Sequence, residues 1–270
     1  MLTRETYTHG HAAAAVRQHG RRNAEEAAAF LLPELRPDMR LLDVGCGPGS
    51  ITRGFAERLT SGRVVGLDLS RETLAAARQD AAARGLDNLV YQEGSVYDLP
   101  FLEGSFDVVY AHQVLQHLRD PSAALHEMLR VLRPGGLIAA RDVDWATAAY
   151  WPADPWIDRF IEVLFKTWYK NGGEPRMGRR LRGLFNGAGV SGLRITSSVW
   201  SYSTRSETLE WGESYAERIL TSPMGSRPVE YGYATAEDLQ AMADAFRAWA
   251  VHPDAFWAFT QVAALGRKPQ

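Results

Sequence analysis

Three glycines at every second position, Gly45, Gly47 and Gly49, follow Asp43 within the short apolar run Leu41, Leu42 and Val44. Glycine has no β-carbon, so a turn of this composition lets backbone N–H groups come close to a ligand. The apolar run reads as a buried strand, and Ile51 to Leu59 reads as the helix after it. The unpaired N–H groups and positive dipole end of that helix suit an anionic group at its first turn. Together these residues describe a turn that cradles a small-molecule cofactor. A dinucleotide fingerprint has the spacing G-x-G-x-x-G, with its third glycine where this chain has Ser50; the spacing here is G-x-G-x-G.

Further residues suit particular chemistry. Asp68 ends a second strand, Arg63 to Asp68, where a carboxylate can accept both hydroxyls of a ribose. His112 directly follows a fourth strand, at the carboxyl end of the sheet where open α/β folds place their ligands. It is the leading candidate for a base or a substrate contact, the alternative being a histidine bonded to a neighbouring loop. Asp142 and Asp144 alternate at the end of a fifth strand and so share a side. They read as hydrogen-bonding partners of a substrate polar group or of a histidine. Cys46, the single cysteine, excludes an intrachain disulfide and fits a reducing compartment. No dedicated base accompanies it, so it reads as a small side chain packed under the cofactor and not as a nucleophile.

The elements that must position these groups follow in order. A helical, alanine-rich region from about His11 to Leu32 ends at Pro33 and Pro37. After the glycine turn and its helix comes the Arg63 strand, then a helix from Arg71 to Arg84 capped by Ser70 and stopped by Gly85. A third strand, Leu89 to Glu93, completes two consecutive βα units, which implies parallel pairing. Phe106 to Ala111 is the fourth strand, Pro121 to Leu132 a helix, and Gly136 to Arg141 the fifth strand. Helical stretches are expected over Trp156 to Tyr169, Met177 to Asn186, Ser206 to Leu220 and Thr235 to Ala250, with strands at Leu193 to Trp200 and Phe256 to Leu265. Arg176, Arg179, Arg180 and Arg182 read as a solvated helix face.

A net charge of −2 with a pI near 6.4 supplies no basic field for gathering a polynucleotide, so no nucleic-acid partner is expected. No stretch approaches the roughly 18 apolar residues of a membrane span, and Ala12 to Val16 is too short for a signal core; a cytoplasmic location is the expectation.

The pattern Asp43-x-Gly45-x-Gly47-x-Gly49 resembles the first motif of class I S-adenosylmethionine-dependent methyltransferases, and further stations match in order. Glu93 to Pro100 resembles the segment that closes over adenine, followed by Ser105-Phe106-Asp107-Val108-Val109. Gln113 to Leu118 and Val131 to Leu137, with its Arg133-Pro134-Gly135-Gly136, are similar to the small-molecule enzymes of ubiquinone and menaquinone biosynthesis. One departure is Ser95, where the family often has an aspartate for the adenine amino group.

The resemblance implies a Rossmann-like open twisted sheet of about seven strands, mostly parallel with an antiparallel last strand, and helices on both faces. It implies one domain, with residues 1–37 as a helical lid, 38–144 as the cofactor core, 145–191 and 201–253 as helical cap insertions, and 192–200 and 254–267 as C-terminal strands. It implies a cofactor set of Tyr7, Asp43, Gly45, Cys46, Gly47, Gly49, Asp68, Leu69, Ser95, Val96 and Ala111, with Ser95 and the Val96 backbone at adenine and the Tyr7 phenol near the sulfonium. The cofactor would be S-adenosyl-L-methionine, leaving as S-adenosyl-L-homocysteine. No metal is expected, because the metal-dependent catechol enzymes of the family need an acid after the fourth strand, and Ala111-His112 supplies none. His112 would be catalytic, and Asp142, Asp144 and Trp145 would contact the acceptor. The aromatic residues after Asp144, with Trp200, Trp211 and Tyr215, fall where the family keeps its substrate roof and imply an apolar or aromatic small molecule. Two alternatives stay open: a protein that binds the cofactor without transferring methyl groups, as a regulator or cyclase, and a nicotinamide-dependent oxidoreductase. The sequence leaves the oligomeric state undetermined.

Overall fold

Apolar runs bounded by glycine, proline and capping residues organise the chain around one seven-stranded sheet. The computed structural model describes residues 22–270. Its strands are β1 (Arg40–Val44), β2 (Arg63–Asp68), β3 (Leu89–Glu93), β4 (Phe106–His112), β5 (Leu132–Trp151), β6 (Ser191–Tyr202) and β7 (Phe256–Arg267). The spatial order is β3-β2-β1-β4-β5-β7-β6. The first five strands pair in parallel, and β7 runs antiparallel to both β5 and β6. The reversal of strand order between β1 and β4 opens a crevice at the carboxyl ends of the strands, where such sheets bind ligands.

Helices cover both faces. On one side lie α1 (Ala24–Ala27), α2 (Ser50–Arg58) and α3 (Arg71–Ala83), packed on Leu41, Val64, Val108 and Tyr110. On the other, α4 (Pro121–Val131) and α6 (Met177–Gly187) cover Leu42, Val109, Ile138 and Ala140. A third cluster gathers α5 (Pro155–Lys170), α7 (Arg205–Thr221), α8 (Pro223–Glu230) and α9 (Ala236–Val251) around Trp145, Trp168, Phe246 and Trp257. Local signals set many boundaries: Ser70 accepts from Thr73 N at the start of α3, Asp120 caps α4, and Thr204 and Thr235 form capping boxes on α7 and α9.

Three regions differ from the sequence expectation. β5 runs on to Trp151, past Arg141 and past the expected start of a helical insertion, because β7 pairs with it from Leu137 to Asp144 and, after a bulge, from Ala149 to Trp151. Helix α8 was not expected; Pro223 occupies its first turn and Pro228 lies inside it. Near the N-terminus the described helix is α1 alone, and Pro33 sits in a 3-10 turn, Leu32–Glu34. Tyr7 and the rest of the expected helical region before Arg22 lie outside the described residues.

Candidate active site

β1 delivers the glycine turn. Gly45 N and Cys46 N both donate to Leu67 O, at 2.7 and 3.0 Å, so the turn is tied to the neighbouring strand β2. Gly47 N donates to Asp68 Oδ2 and Ser70 N to Asp68 Oδ1, each at 2.9 Å, which fixes the Asp68 carboxylate at the rim. The glycines have separate duties. Gly49 begins α2 at φ 77°, and a β-carbon there would overlap the Tyr91 hydroxyl, which donates to Gly49 O at 3.2 Å. Gly47, at φ 53°, has nothing within 4 Å of that direction and faces open space. Beneath the turn Asp43 is buried and accepts from Thr52 Oγ1 at 2.6 Å. Burial pushes its carboxyl up to about 7 against the lowering effect of that hydrogen bond.

A cavity of about 740 Å³ runs from this turn to an aromatic wall. Of the residues singled out in the sequence, Asp43, Gly45, Cys46, Gly47, Asp68, Leu69, Ser95, Val96, His112 and Trp145 line it. Leu69 is 59% exposed and presents an apolar flat beside Asp68. Burial pushes the Cys46 thiol up, which suits a packed side chain and not a nucleophile. The far wall is built by Trp145, Trp200, Tyr202, Trp211, Tyr215 and Phe259. Tyr202 stacks on Trp211 with ring centroids 4.1 Å apart, and Trp145 stacks on Phe259 at 5.4 Å.

His112 stands between the two halves. It is the last residue of β4, is buried, and stacks 6.4 Å from Tyr110. Neither ring nitrogen has a hydrogen-bond partner among the described residues. Burial, reinforced by Arg22 and Arg141, holds its pKa well below the ordinary histidine value, so the ring is neutral near pH 7. The next residue, Gln113, adopts φ 55°; its N–H donates to Arg141 O at 2.7 Å. This turn places Val114 against Gly45, where a β-carbon would overlap Val114 Cγ2. His117 also reaches the cavity, lying flat on Trp168 with centroids 5.0 Å apart, and burial pushes its pKa down to about 3.

Asp142 and Asp144 do share a side, as their alternation predicts, but it is the side away from the cavity. Strand register decides this: β4 and β5 align His112 with Arg141, so Arg141 and not Asp142 lies beside the histidine. Asp142 accepts from Gln116 N at 3.3 Å beneath the 3-10 turn Leu115–His117, and burial drives its carboxyl well up. Asp144 pairs with Arg179 of α6, Arg179 Nη2 lying 2.9 Å from its Oδ1. Thus one arginine of the expected solvated face is tied to a buried acid, while Arg176 and Arg180 bond Tyr169 and Glu174 near the surface. Gly49 and Ala111 do not line the cavity either: Gly49 is filled by Tyr91, and the Ala111 side chain joins the core under α4 and α6.

Sequence reasoning gave no site role to Arg22, Gln113, Arg141, Tyr202, Arg218 and Phe259, all of which line the cavity. Arg141 alternates with Val143 and Trp145, so a face assignment starting from Trp145 would have found it. Arg218, on α7, is 1% exposed with its guanidinium 4.9 Å from the Tyr215 ring, and no local pattern marks it. Among the described residues no group of three or more His, Cys, Asp or Glu side chains gathers as a metal-ligand set.

A topological switch point, a glycine turn and a strand-end acid are what open α/β sheets use to hold a small-molecule cofactor, and comparison with known proteins says which class of enzyme this is. The sequence pattern of the methyltransferase domain family matches residues 42–140. An uncharacterized methyltransferase of Schizosaccharomyces pombe is 34% identical over 213 residues, 76% of each chain. A probable methyltransferase of Aspergillus luteorubrus, ltbC, is 31% identical over 272 residues, 93% of each chain. In three dimensions the YcgJ protein of Bacillus subtilis superposes with a TM-score of 0.58 at 18% identity, covering 90% of this chain and 97% of that one. The chain belongs to the class I S-adenosylmethionine-dependent methyltransferases, and its methyl donor is S-adenosyl-L-methionine.

Proposed function

We propose that this methyltransferase transfers its methyl group by in-line displacement to a small molecule with an apolar or aromatic body. The observation that carries the reading is the continuity of the cavity, which joins the glycine turn and Asp68 to the aromatic wall past His112. When bound, the donor supplies a methyl group already activated on a sulfonium. Gly45, Cys46 and Gly47 offer the backbone against which its methionine end packs, with Gly47 leaving room for it. Asp68 keeps lone pairs for ribose hydroxyls beyond the two backbone amides it already accepts. Leu69, Ser95 and Val96 frame the adenine. Tyr7 is proposed near the sulfonium on the family resemblance alone.

The chain's main catalytic task is to hold the acceptor atom in line, and such positioning is worth roughly 7–11 kcal/mol of barrier. His112, neutral and with both nitrogens unengaged, can accept a hydrogen bond from an acceptor hydroxyl or amine and take its proton; a general base contributes about 10²–10⁴-fold, and the lowered pKa of this ring puts it at the low end of that range. The aromatic wall excludes water from the acceptor body, with Trp145 part of it. A cavity of about 740 Å³ and a net charge of −2 favour a small molecule over a polynucleotide. We read residues 38–144 as the donor core, 145–191 and 201–253 as the acceptor roof, and 1–37 as a lid. A cytoplasmic location fits the single cysteine and the absence of any membrane-crossing helix among the described residues.

The test is a screen of whole-cell extract with methyl-labelled donor, with the label followed into low-mass and macromolecular fractions and identified by mass spectrometry. Label is expected in low-mass aromatic or apolar compounds; label confined to nucleic acid or protein would sink the reading. Calorimetry of Asp68→Ala checks the donor half: S-adenosylhomocysteine affinity should fall at least about tenfold, or about 1.4 kcal/mol, and unchanged affinity would remove Asp68 from the ribose.

A further inference from the structure

We propose that the acceptor carries an oxyanion of carboxylate type, and that this group docks against Arg141 beside Trp200. The proposal rests on reading the aromatic half as the acceptor site. Arg141 ends the parallel part of β5, lines the cavity, and is only 4% exposed. A guanidinium stays protonated in proteins, so the burial is that of a full positive charge. Its hydrogen bonds go to neutral oxygens, the backbone carbonyl of Glu26 and, at 2.7 Å, the hydroxyl of Ser198. No carboxylate among the described residues forms an ion pair with it.

A second cation lies nearby. The Arg141 guanidinium lies 4.9 Å from the Trp200 ring centroid, and that of Arg22 lies 5.8 Å from the same centroid. Burial holds the Arg141 pKa below the ordinary arginine value, and Arg22 adds to the shift. Uncompensated buried charge is strongly destabilising, and a hydrogen-bonded counter-ion relieves it. The acidic side chains of the wall, Glu26, Glu207 and Glu210, form no ion pair with it: Glu207 is engaged by the amides of Ser203 and Thr204 and the Thr204 hydroxyl at the start of α7, and Glu26 acts on Arg141 only from beyond ion-pair distance. The guanidinium carries five N–H donors, of which the bonds to Glu26 O and Ser198 use two, so an oxyanion entering the cavity would meet the remaining donors of a group already held by Ser198 and the Trp200 ring. Next to it the neutral His112 adds no charge to the empty site and can accept a hydrogen bond, so one ligand can present an anion to Arg141 and a hydroxyl or amine to the histidine; a proton taken up by the ring would be balanced by the ligand's own anion.

The experiment is calorimetry on the full chain saturated with S-adenosylhomocysteine, using 3-phenylpropanoate and 3-phenylpropanamide as probes. They share one aromatic body and differ in charge. The carboxylate is expected to bind at least about tenfold more tightly. Arg141→Met should erase that preference while S-adenosylhomocysteine affinity stays within about twofold. Equal affinities in the wild type, binding of neither probe, or a preference that survives in Arg141→Met would overturn the proposal. So would an Arg141→Met variant that loses the homocysteine ligand but keeps the preference, since the anion site would then belong to the donor. Should Arg141→Met not fold, Arg141→Lys keeps the charge and loses the fork: a preference reduced at least about threefold supports the assignment, and an unchanged one overturns it. Failure of S-adenosylhomocysteine itself to bind would instead sink the donor-site reading.

Discussion

Asp43 and His112 end up on adjacent strands, and burial takes the charge from both. Asp43 holds a proton up to about pH 7 in the folded chain but only to about 3.8 when unfolded. Between those values the native state binds more protons than the unfolded state, so this group's contribution to stability is full below pH 4 and is lost as pH rises through 7. Asp43→Asn keeps an acceptor for the Thr52 hydroxyl and removes the titration. Its stability relative to wild type should therefore improve steadily from pH 4 to pH 7 in urea melts, and a flat difference would contradict the buried acid. His112 is neutral for the opposite reason, its charged form being the one disfavoured. His112→Ala should slow single-turnover methyl transfer more than about tenfold, within the range of a lost general base, with donor affinity retained. A smaller loss would make the ring a packing group. The acids at 142 and 144 carry a different lesson. Their shared side was legible from alternation, but which side was not, because it depends on the pairing of His112 with Arg141 across two strands.

At the scale of elements, the glycine turn separates into a part packed into the fold, at Gly49, and a part facing open space, at Gly47, where the proposed function places the donor. Gly49→Ala forces a β-carbon onto Tyr91 at a left-handed φ, and should destabilise the protein by about 1–3 kcal/mol in denaturant melts. Gly47→Ala meets no neighbour within 4 Å, so beyond backbone strain its main effect should be on donor affinity, measured by calorimetry. If both variants lost stability equally with donor binding intact, the division would be wrong. Most elements were legible because their signals are local: capping by Ser70, the stop at Gly85, the apolar runs of β1 to β4. The end of β5 was not. Its segment Ala146 to Trp151 has small residues in place of clear alternation, and only pairing with β7 across the bulge after Asp144 makes it a strand. Helix α8 was hidden by Pro228, which tertiary packing tolerates.

Across the whole molecule, ligand binding should register as global stability. S-adenosylhomocysteine at about 100 times its Kd adds about 2.7 kcal/mol, which for a chain of this size raises Tm by roughly 5–10 °C. A nicotinamide dinucleotide at the same concentration should leave Tm unchanged; a shift with the dinucleotide alone would reopen the oxidoreductase reading. The donor half was readable because one contiguous turn and one strand-end acid compose it. The proposed acceptor half draws Trp145 from β5, Trp200 and Tyr202 from β6, Trp211, Tyr215 and Arg218 from α7, and Phe259 from β7. No spacing along the chain announces that convergence.

The contact of Val114 with Gly45 joins these halves at one point. Through it the left-handed step at Gln113 leans the start of the acceptor wall directly on the donor turn, with no room for a side chain between them. The spacing between the glycine turn and the Gln113 step is therefore set by strand-to-strand packing, like the gauge of a track. A substitution as small as Gly45→Ala, at a left-handed φ and against Val114 Cγ2, would have to force the two segments apart.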